Sequence, residues 1–208
     1  IHSVAIPKLE KDWGVKTIIA QANTNYVKRF YTKKQKGKRI GEIYGFPIIG
    51  RPWCNDRLKV MPLNKYESTV GNYKEIIGIT VDESTRMPKK RNNPDVILPL
   101  VDYNIAQKES FIIAKEAGLL SPAYTEGVTR LGCWFCHNQK INELRMIKNM
   151  YPNLWSKLLR IDKDSPFTFK PNTTVNDLDK RFELEDERLA QGLTINPYTK
   201  EFREALAE

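Results

Sequence analysis

Lys74-Glu75-Ile76-Ile77-Gly78-Ile79-Thr80-Val81 runs directly into Asp82-Glu83-Ser84-Thr85-Arg86. The first eight residues centre on Ile76, Ile77 and Ile79 and predict a buried strand. The polar residues that follow then sit at its C-terminal end, the edge where open α/β sheets bind ligands. Downstream, Val96-Ile97-Leu98-Pro99-Leu100 reads as a short extended segment, and Ile105 to Ala117 as a helix ended by Gly118. Upstream, Val4 to Asp12 is amphipathic and closes at Gly14. The β-branched run Val15-Lys16-Thr17-Ile18-Ile19-Ala20 predicts a further strand. Strands alternating with helices imply an α/β fold, a twisted and mostly parallel sheet with helices on both faces.

The remaining segments are mostly helical or looped. Asn25 to Thr32 and Cys54 to Val70 have helical spacing, with Pro62 expected to start or kink the second. A cysteine turn and a helix fill Leu131 to Met150, and another helix spans Pro152 to Ile161. From Asp162 onward no strand is convincing. Leu178 to Leu189 reads as a charged helix and Gly192 to Glu208 as a peripheral tail. The expected organisation is an α/β domain over residues 1–161 with a helical C-terminal extension over 162–208.

Composition narrows the class. The chain has 208 residues, 34 Lys or Arg and 25 Asp or Glu, for a formal charge of +9. With 8 Phe, 9 Tyr and 4 Trp it is too rich in aromatics for a disordered chain. No apolar run approaches the ~18 residues of a membrane span. The charges Lys8, Glu10, Lys11 and Asp12 interrupt any signal peptide. Three cysteines do not form a paired disulfide framework. The expectation is a soluble, cytoplasmic protein with no membrane partner.

Three constellations carry chemistry. Cys133-Trp134-Phe135-Cys136 places two thiols in one tight turn, a spacing that suits a metal or cluster and equally a redox pair. Cys54 lies 79 positions upstream, and His137 directly follows Cys136. The candidate ligands are therefore Cys54, Cys133 and Cys136, with His137 as a fourth. In Cys54-Asn55-Asp56-Arg57-Leu58-Lys59, helical spacing turns Arg57 towards the thiol, with Lys59 flanking it. Both cations favour thiolate and bind anions. At the strand end, Arg86 can grip phosphate or sulfate, while Asp82 or Glu83 can take a metal, a ribose hydroxyl or Arg57. Arg130 is a further candidate for the same anion. Each of these loops can also be a plain solvated salt-bridge face.

In order and spacing, "RPWCNDRLK", "EIIGITVDESTR", "ILPLVDYNIAQKESFIIAKEAGLLSPAY" and "RLGCWFCHNQKINELRMIKNMYPNLWSKL" resemble the phosphoadenosine phosphosulfate (PAPS) reductase family, and within it an uncharacterised bacterial and phage branch. The resemblance covers Trp13 to Leu159. It implies an adenine nucleotide alpha-hydrolase-like fold, sulfur metabolism, and an adenine nucleotide or sulfonucleotide as ligand. It also implies a cysteine-held centre, iron–sulfur or zinc. Trp53 stands where cluster-bearing relatives have the first of two adjacent cysteines, which leaves Cys54, Cys133 and Cys136 to hold a cluster with one open iron. Two features depart from the family. No Ser-Gly-Gly-x-Asp-Ser phosphate loop is present, and Ile1 aligns within the second helix, so the first strand, loop and helix are expected upstream. No cysteine follows Cys136, so sulfonucleotide reduction by a C-terminal nucleophile is not expected of this chain.

Two functions follow. One is nucleotide-dependent sulfur or sulfonyl-transfer chemistry at the cysteine centre. The other is a nucleic-acid-binding accessory, or an inactive relative, on the same fold. The runs Lys33 to Arg39 and Lys89-Lys90-Arg91 supply the cationic footprint for nucleic acid, with Tyr26, Phe30 and Tyr31 as bases' stacking partners.

Overall fold

Glycine and proline set much of the local architecture. Gly14, at φ 63°, takes the left-handed conformation that ends the first helix, and its N–H returns to the Leu9 carbonyl. The computed structural model describes residues 3–48, 50, 52–86, 92–124, 128 and 132–207. In chain order the elements are α1 (Ala5–Trp13), α2 (Tyr26–Phe30), α3 (Trp53–Asn55), a π-helical turn (Asp56–Val60), α4 (Met61–Val70), β1 (Glu75–Ile76), β2 (Val96–Ile97), α5 (Pro99–Asp102), α6 (Gln107–Glu116), a 3-10 turn (Pro122–Tyr124), α7 (Ile141–Met150), α8 (Pro152–Asp164), α9 (Val175–Ala190) and α10 (Lys200–Ala205). They divide into two units: Ile1–Gln21 with Met61–Thr129, and Ala22–Val60 with Arg130–Glu208.

The first unit holds the strands. β1 and β2 pair in parallel, Glu75 against Val96 and Ile76 against Ile97, and the ladder extends to the Ile77 N–H on the Ile97 carbonyl (3.0 Å). Mixed helix with a short parallel strand pair is compatible with the α/β class. The expected strand over Lys74–Val81 stops early because the chain bends: the Ile79 N–H bonds Ile77 rather than a neighbouring strand. Ile79 then packs with Leu98 and Val101 in a small core. The expected strand at Val15–Ala20 does not form. Val15, Ile18 and Ile19 are exposed, and no ladder partner exists among the described residues. β-branched composition favours an extended chain, but a strand needs a neighbour to bond.

Pro62 neither starts nor breaks the 53–70 helical run. A proline lacks the N–H that the carbonyl four residues earlier would accept. The backbone absorbs this defect by widening into the π turn at Asp56–Val60, immediately ahead of it.

The second unit is built on α7, α8 and α9, whose Leu144, Ile147, Trp155, Leu158, Ile161, Leu178 and Phe182 share one core with Tyr26, Phe30, Phe46 and Phe169. α9 begins with a reciprocal cap: Thr174 Oγ1 accepts from the Asp177 N–H, and Asp177 accepts from the Thr174 N–H. Trp155 Nε1 donates to Asp179 at 2.6 Å, tying α8 to α9. The region after Gly192 is not merely a peripheral tail. It forms α10, and Phe202 is fully buried, with the Arg181 and Arg188 guanidinium groups 5.9 and 5.7 Å from its ring centre. Among the described residues no helix is long and apolar enough to cross a membrane.

Phe202→Ala is therefore expected to destabilise the protein by about 3–5 kcal/mol, read from urea unfolding. A loss within about 0.5 kcal/mol, the usual range for surface positions, would show that α10 does not belong to the core.

Candidate functional site

The site grows out of one tyrosine. Asn25 caps α2 by accepting the Lys28 N–H, which fixes Tyr26 at the first helical position. The Tyr26 ring stacks on Phe135 (centroids 3.7 Å apart) and on Trp53 (5.1 Å). Trp53 precedes Cys54, and Phe135 lies inside the Cys133–Cys136 turn. The stack thus gathers three stretches of chain, two of which bring the cysteines: Cys54 beside Trp53, and Cys133 and Cys136 flanking Phe135. All three cysteines are reduced and half-buried.

The thiols are near enough to feel one another's charge. Burial pushes the Cys54 thiol above its ordinary value, and Cys136 and then Cys133 push it further. Burial also raises the Tyr26 hydroxyl, followed by Cys54, Cys136 and Cys133. That hydroxyl is buried without a hydrogen-bond partner. Among the described residues, no three His, Cys, Asp or Glu side chains stand in a metal-ligating arrangement.

Of the two cations after Cys54, Lys59 is the one that lowers its pKa. Cys54 lies in α3, just ahead of the π turn that carries both cations. Arg57, three beyond Cys54, pairs with Asp56 at 3.1 Å. With Arg29, Tyr44 and Trp53 it lines a cavity of about 430 Å³.

The CxxC turn is held from inside and outside. Cys136 N–H bonds the Cys133 carbonyl (2.9 Å), and Gln139 N–H bonds that of Cys136 (3.1 Å). Gln139 Nε2 reaches back to the Cys133 carbonyl at 2.9 Å. Lys170 Nζ donates to the carbonyls of His137 (2.7 Å) and Gln139 (2.6 Å). Burial lowers the Lys170 pKa, while Cys136 and Glu143 oppose that shift. His137 is buried, with its Nε2 unpartnered, and burial and then Lys170 hold its pKa low, so the ring is neutral near neutral pH.

The strand-end candidates belong to the first unit. Asp82 accepts the Gln107 N–H at 3.1 Å and so caps α6. Glu83 pairs with exposed Arg86 at 2.5 Å. Arg130 lies outside the described residues, as do Lys89, Lys90 and Arg91. Tyr26 and Phe30 are buried, which removes both as stacking partners for bases; Tyr31 is exposed and donates to Asp164 at 2.5 Å. Sequence reasoning missed Lys170 and gave Tyr26 the wrong part. Neither has a local signal: Lys170 meets its partners 31 and 33 positions away.

The chain is 25% identical over 162 residues to the uncharacterized protein MJ0066 of Methanocaldococcus jannaschii, covering 73% of this chain and 31% of that protein. It is 26% identical over 161 residues to the uncharacterized protein MJ0973 of the same organism, covering 67% and 38%. It thus spans about a third of the length of these two relatives. A 50-residue stretch is 44% identical to the uncharacterized nin region protein ORF290 of Escherichia phage lambda, covering 23% of this chain and 17% of that protein. No family model matches the chain, and no solved structure matches it.

Proposed function

We propose that this is a PAPS-reductase-like protein on an adenine nucleotide alpha-hydrolase-like fold. Its chemistry is sulfur or sulfonyl transfer, or redox chemistry, on an adenine nucleotide or sulfonucleotide. Its reactive centre is zinc or an iron–sulfur cluster held by Cys54, Cys133 and Cys136, with the fourth position left to His137, water or substrate. The observation that supports this reading is the gathering of three cysteines, 79 positions apart at the widest step, around Tyr26.

In chemical type three thiols suit such a group, and binding would have to draw them into the ligating arrangement that the described side chains do not adopt. Burial, and then Cys136 and Cys133, make the Cys54 thiol resist ionisation. A bound cation supplies the opposite charge, and thiolates form as it binds with release of protons. When bound, a zinc ion or cluster supplies Lewis acidity or electron transfer. The residues of the chain do the rest. Lys59 offsets charge at Cys54, and Lys170 places its ammonium by Cys136 while pinning the turn. Tyr26, Trp53 and Phe135 keep water from the thiols on their side. Arg57 and Lys59 would neutralise the phosphate or sulfate of a ligand, with Arg130 as a further anion contact.

Metal analysis and visible absorption after anaerobic purification test the centre. Cys54→Ser is expected to lower metal or iron content to background, as Cys133→Ser does. Full metal content in Cys54→Ser would overturn the three-cysteine reading.

The cations give a second test, in metal-free protein. A thiol alkylates as the thiolate, and removing a nearby cation raises the thiol pKa. Below the titration midpoint the rate then falls roughly tenfold per unit of upward shift. Lys59→Met is expected to slow alkylation of Cys54 at about pH 8, and Arg57→Met to leave it unchanged. Slowing by Arg57→Met alone would contradict the assignment of Lys59 as the cation that acts on Cys54.

A further inference from the structure

We propose that residues 28–44, the end of α2 and the hairpin that follows it, are a nucleic-acid-binding segment that docks on the phosphate backbone of DNA or RNA. Lys28 and Arg29 lie in α2, and residues 32–44 form a short antiparallel ribbon. Lys33 bridges Ile43, Tyr44 N–H bonds the Thr32 carbonyl (3.0 Å), Lys34 N–H bonds Glu42 (2.8 Å) and Gly41 N–H bonds Lys34 (3.0 Å). Its tip, residues 35–41, is exposed throughout. Between Lys28 and Tyr44 stand seven Lys or Arg against one Glu, a net +6 of the chain's +9. Two thirds of the net charge is therefore concentrated in the end of α2 and the ribbon that follows it.

The one acid, Glu42, serves Lys34 (3.9 Å) and Arg39 (3.7 Å). Lys33, Lys36 and Lys38 are exposed with no acidic partner among the described residues. Other cations are fixed on rings: Arg29 lies 3.8 Å from the Tyr44 ring centre, and Lys34 and Arg39 lie 4.9 and 4.7 Å from that of Phe167. Cations already ordered lose less entropy on binding. The base of the ribbon is rigid as well. Gly45 is at φ 65°, where a Cβ would come within 2.4 Å of Pro166 Cδ, and Phe46 N–H bonds Ser165 Oγ at 3.1 Å. Like charges this close lie within about a Debye length, ~8 Å in physiological salt, and repel until a polyanion neutralises them. The cavity carrying Arg29, Tyr44 and Arg57 continues the cationic track from the ribbon's base towards Trp53.

Nucleic acid fits this surface better than a membrane does. Ile40 is the one large aliphatic residue of the tip, whereas interfacial anchoring uses a broad apolar face. A two-stranded ribbon also matches the width of the DNA major groove.

The inference is independent of the cysteine centre, and its test uses the whole chain. Fluorescence anisotropy with labelled single-stranded and duplex oligonucleotides of mixed sequence, over a salt series, measures affinity and salt slope; DNA and RNA versions separate the two sources. The wild type is expected to bind, and a Lys33→Glu, Lys36→Glu, Lys38→Glu variant to bind at least about tenfold more weakly, with the slope of log affinity against log salt reduced by about 2–3. Lys36→Ala with Lys38→Ala provides a milder variant if the triple change fails to fold, and should weaken binding with a slope reduced by about 1–2. Reversing Lys65, Lys108 and Lys115 to Glu makes the same change in net charge elsewhere and should leave affinity within about twofold. Absence of wild-type binding in low salt would overturn the proposal. So would equal losses in the hairpin and control variants, or tighter binding to vesicles of anionic lipid than to any oligonucleotide. Metal content, measured on the same hairpin variants, is expected to match the wild type, so failure here leaves the cysteine centre untouched.

Discussion

The stacking of Tyr26 on Trp53 and Phe135 is the contact on which the candidate site rests. It joins α2, the turn that opens α3, and the CxxC turn. Such aromatic pairs contribute about 0.5–1.5 kcal/mol each beyond the area they bury. Against this stands the Tyr26 hydroxyl, buried among thiols without a hydrogen-bond partner, at a cost of roughly 1–3 kcal/mol. A phenylalanine would avoid that cost, so stability alone does not account for a tyrosine here. Its placement ties packing to chemistry: the residue that assembles the core is the one that faces all three cysteines.

The surrounding charges follow from backbone geometry. Pro62 removes a helical N–H, the helix widens into a π turn, and that turn carries both Lys59, the cation that lowers the Cys54 pKa, and Arg57, which pairs with Asp56. Lys170, on the segment leading into α9, bonds two carbonyls of the cysteine turn. Two lysines from different parts of the unit thus act on the cysteines, Lys59 on Cys54 and Lys170 by Cys136. In the same unit the end of α2 and the basic ribbon together carry most of the net charge, with three of their cations braced on Tyr44 and Phe167.

Local signals were readable from the sequence and distant ones were not. Gly14 and Gly118 mark the ends of α1 and of the turn after α6, and the apolar spacing at Leu144, Ile147, Leu158 and Ile161 gives α7 and α8. The CxxC pair and the distortion near Pro62 were visible in the same way, although a π turn in place of a kink was not. Val15–Ala20 shows the limit of composition, since its β-branched residues cannot reveal whether a strand lies beside them. The one aromatic in α10, Phe202, gives no periodicity to distinguish a docked helix from a tail. Tyr26 beside a basic run resembles a stacking residue until the fold buries it. The cation at Lys170 depends on a contact across more than thirty positions, which neither spacing nor charge pattern encodes.

The convergence of Cys54 on the CxxC turn is tested most directly by a short bifunctional thiol crosslinker applied to the metal-free native protein, with the linked peptides identified by mass spectrometry. Joining of Cys54 to Cys133 or Cys136, lost when the protein is unfolded in urea before treatment, is the expected result. Crosslinks confined to Cys133 and Cys136, with Cys54 modified only singly, would contradict the account.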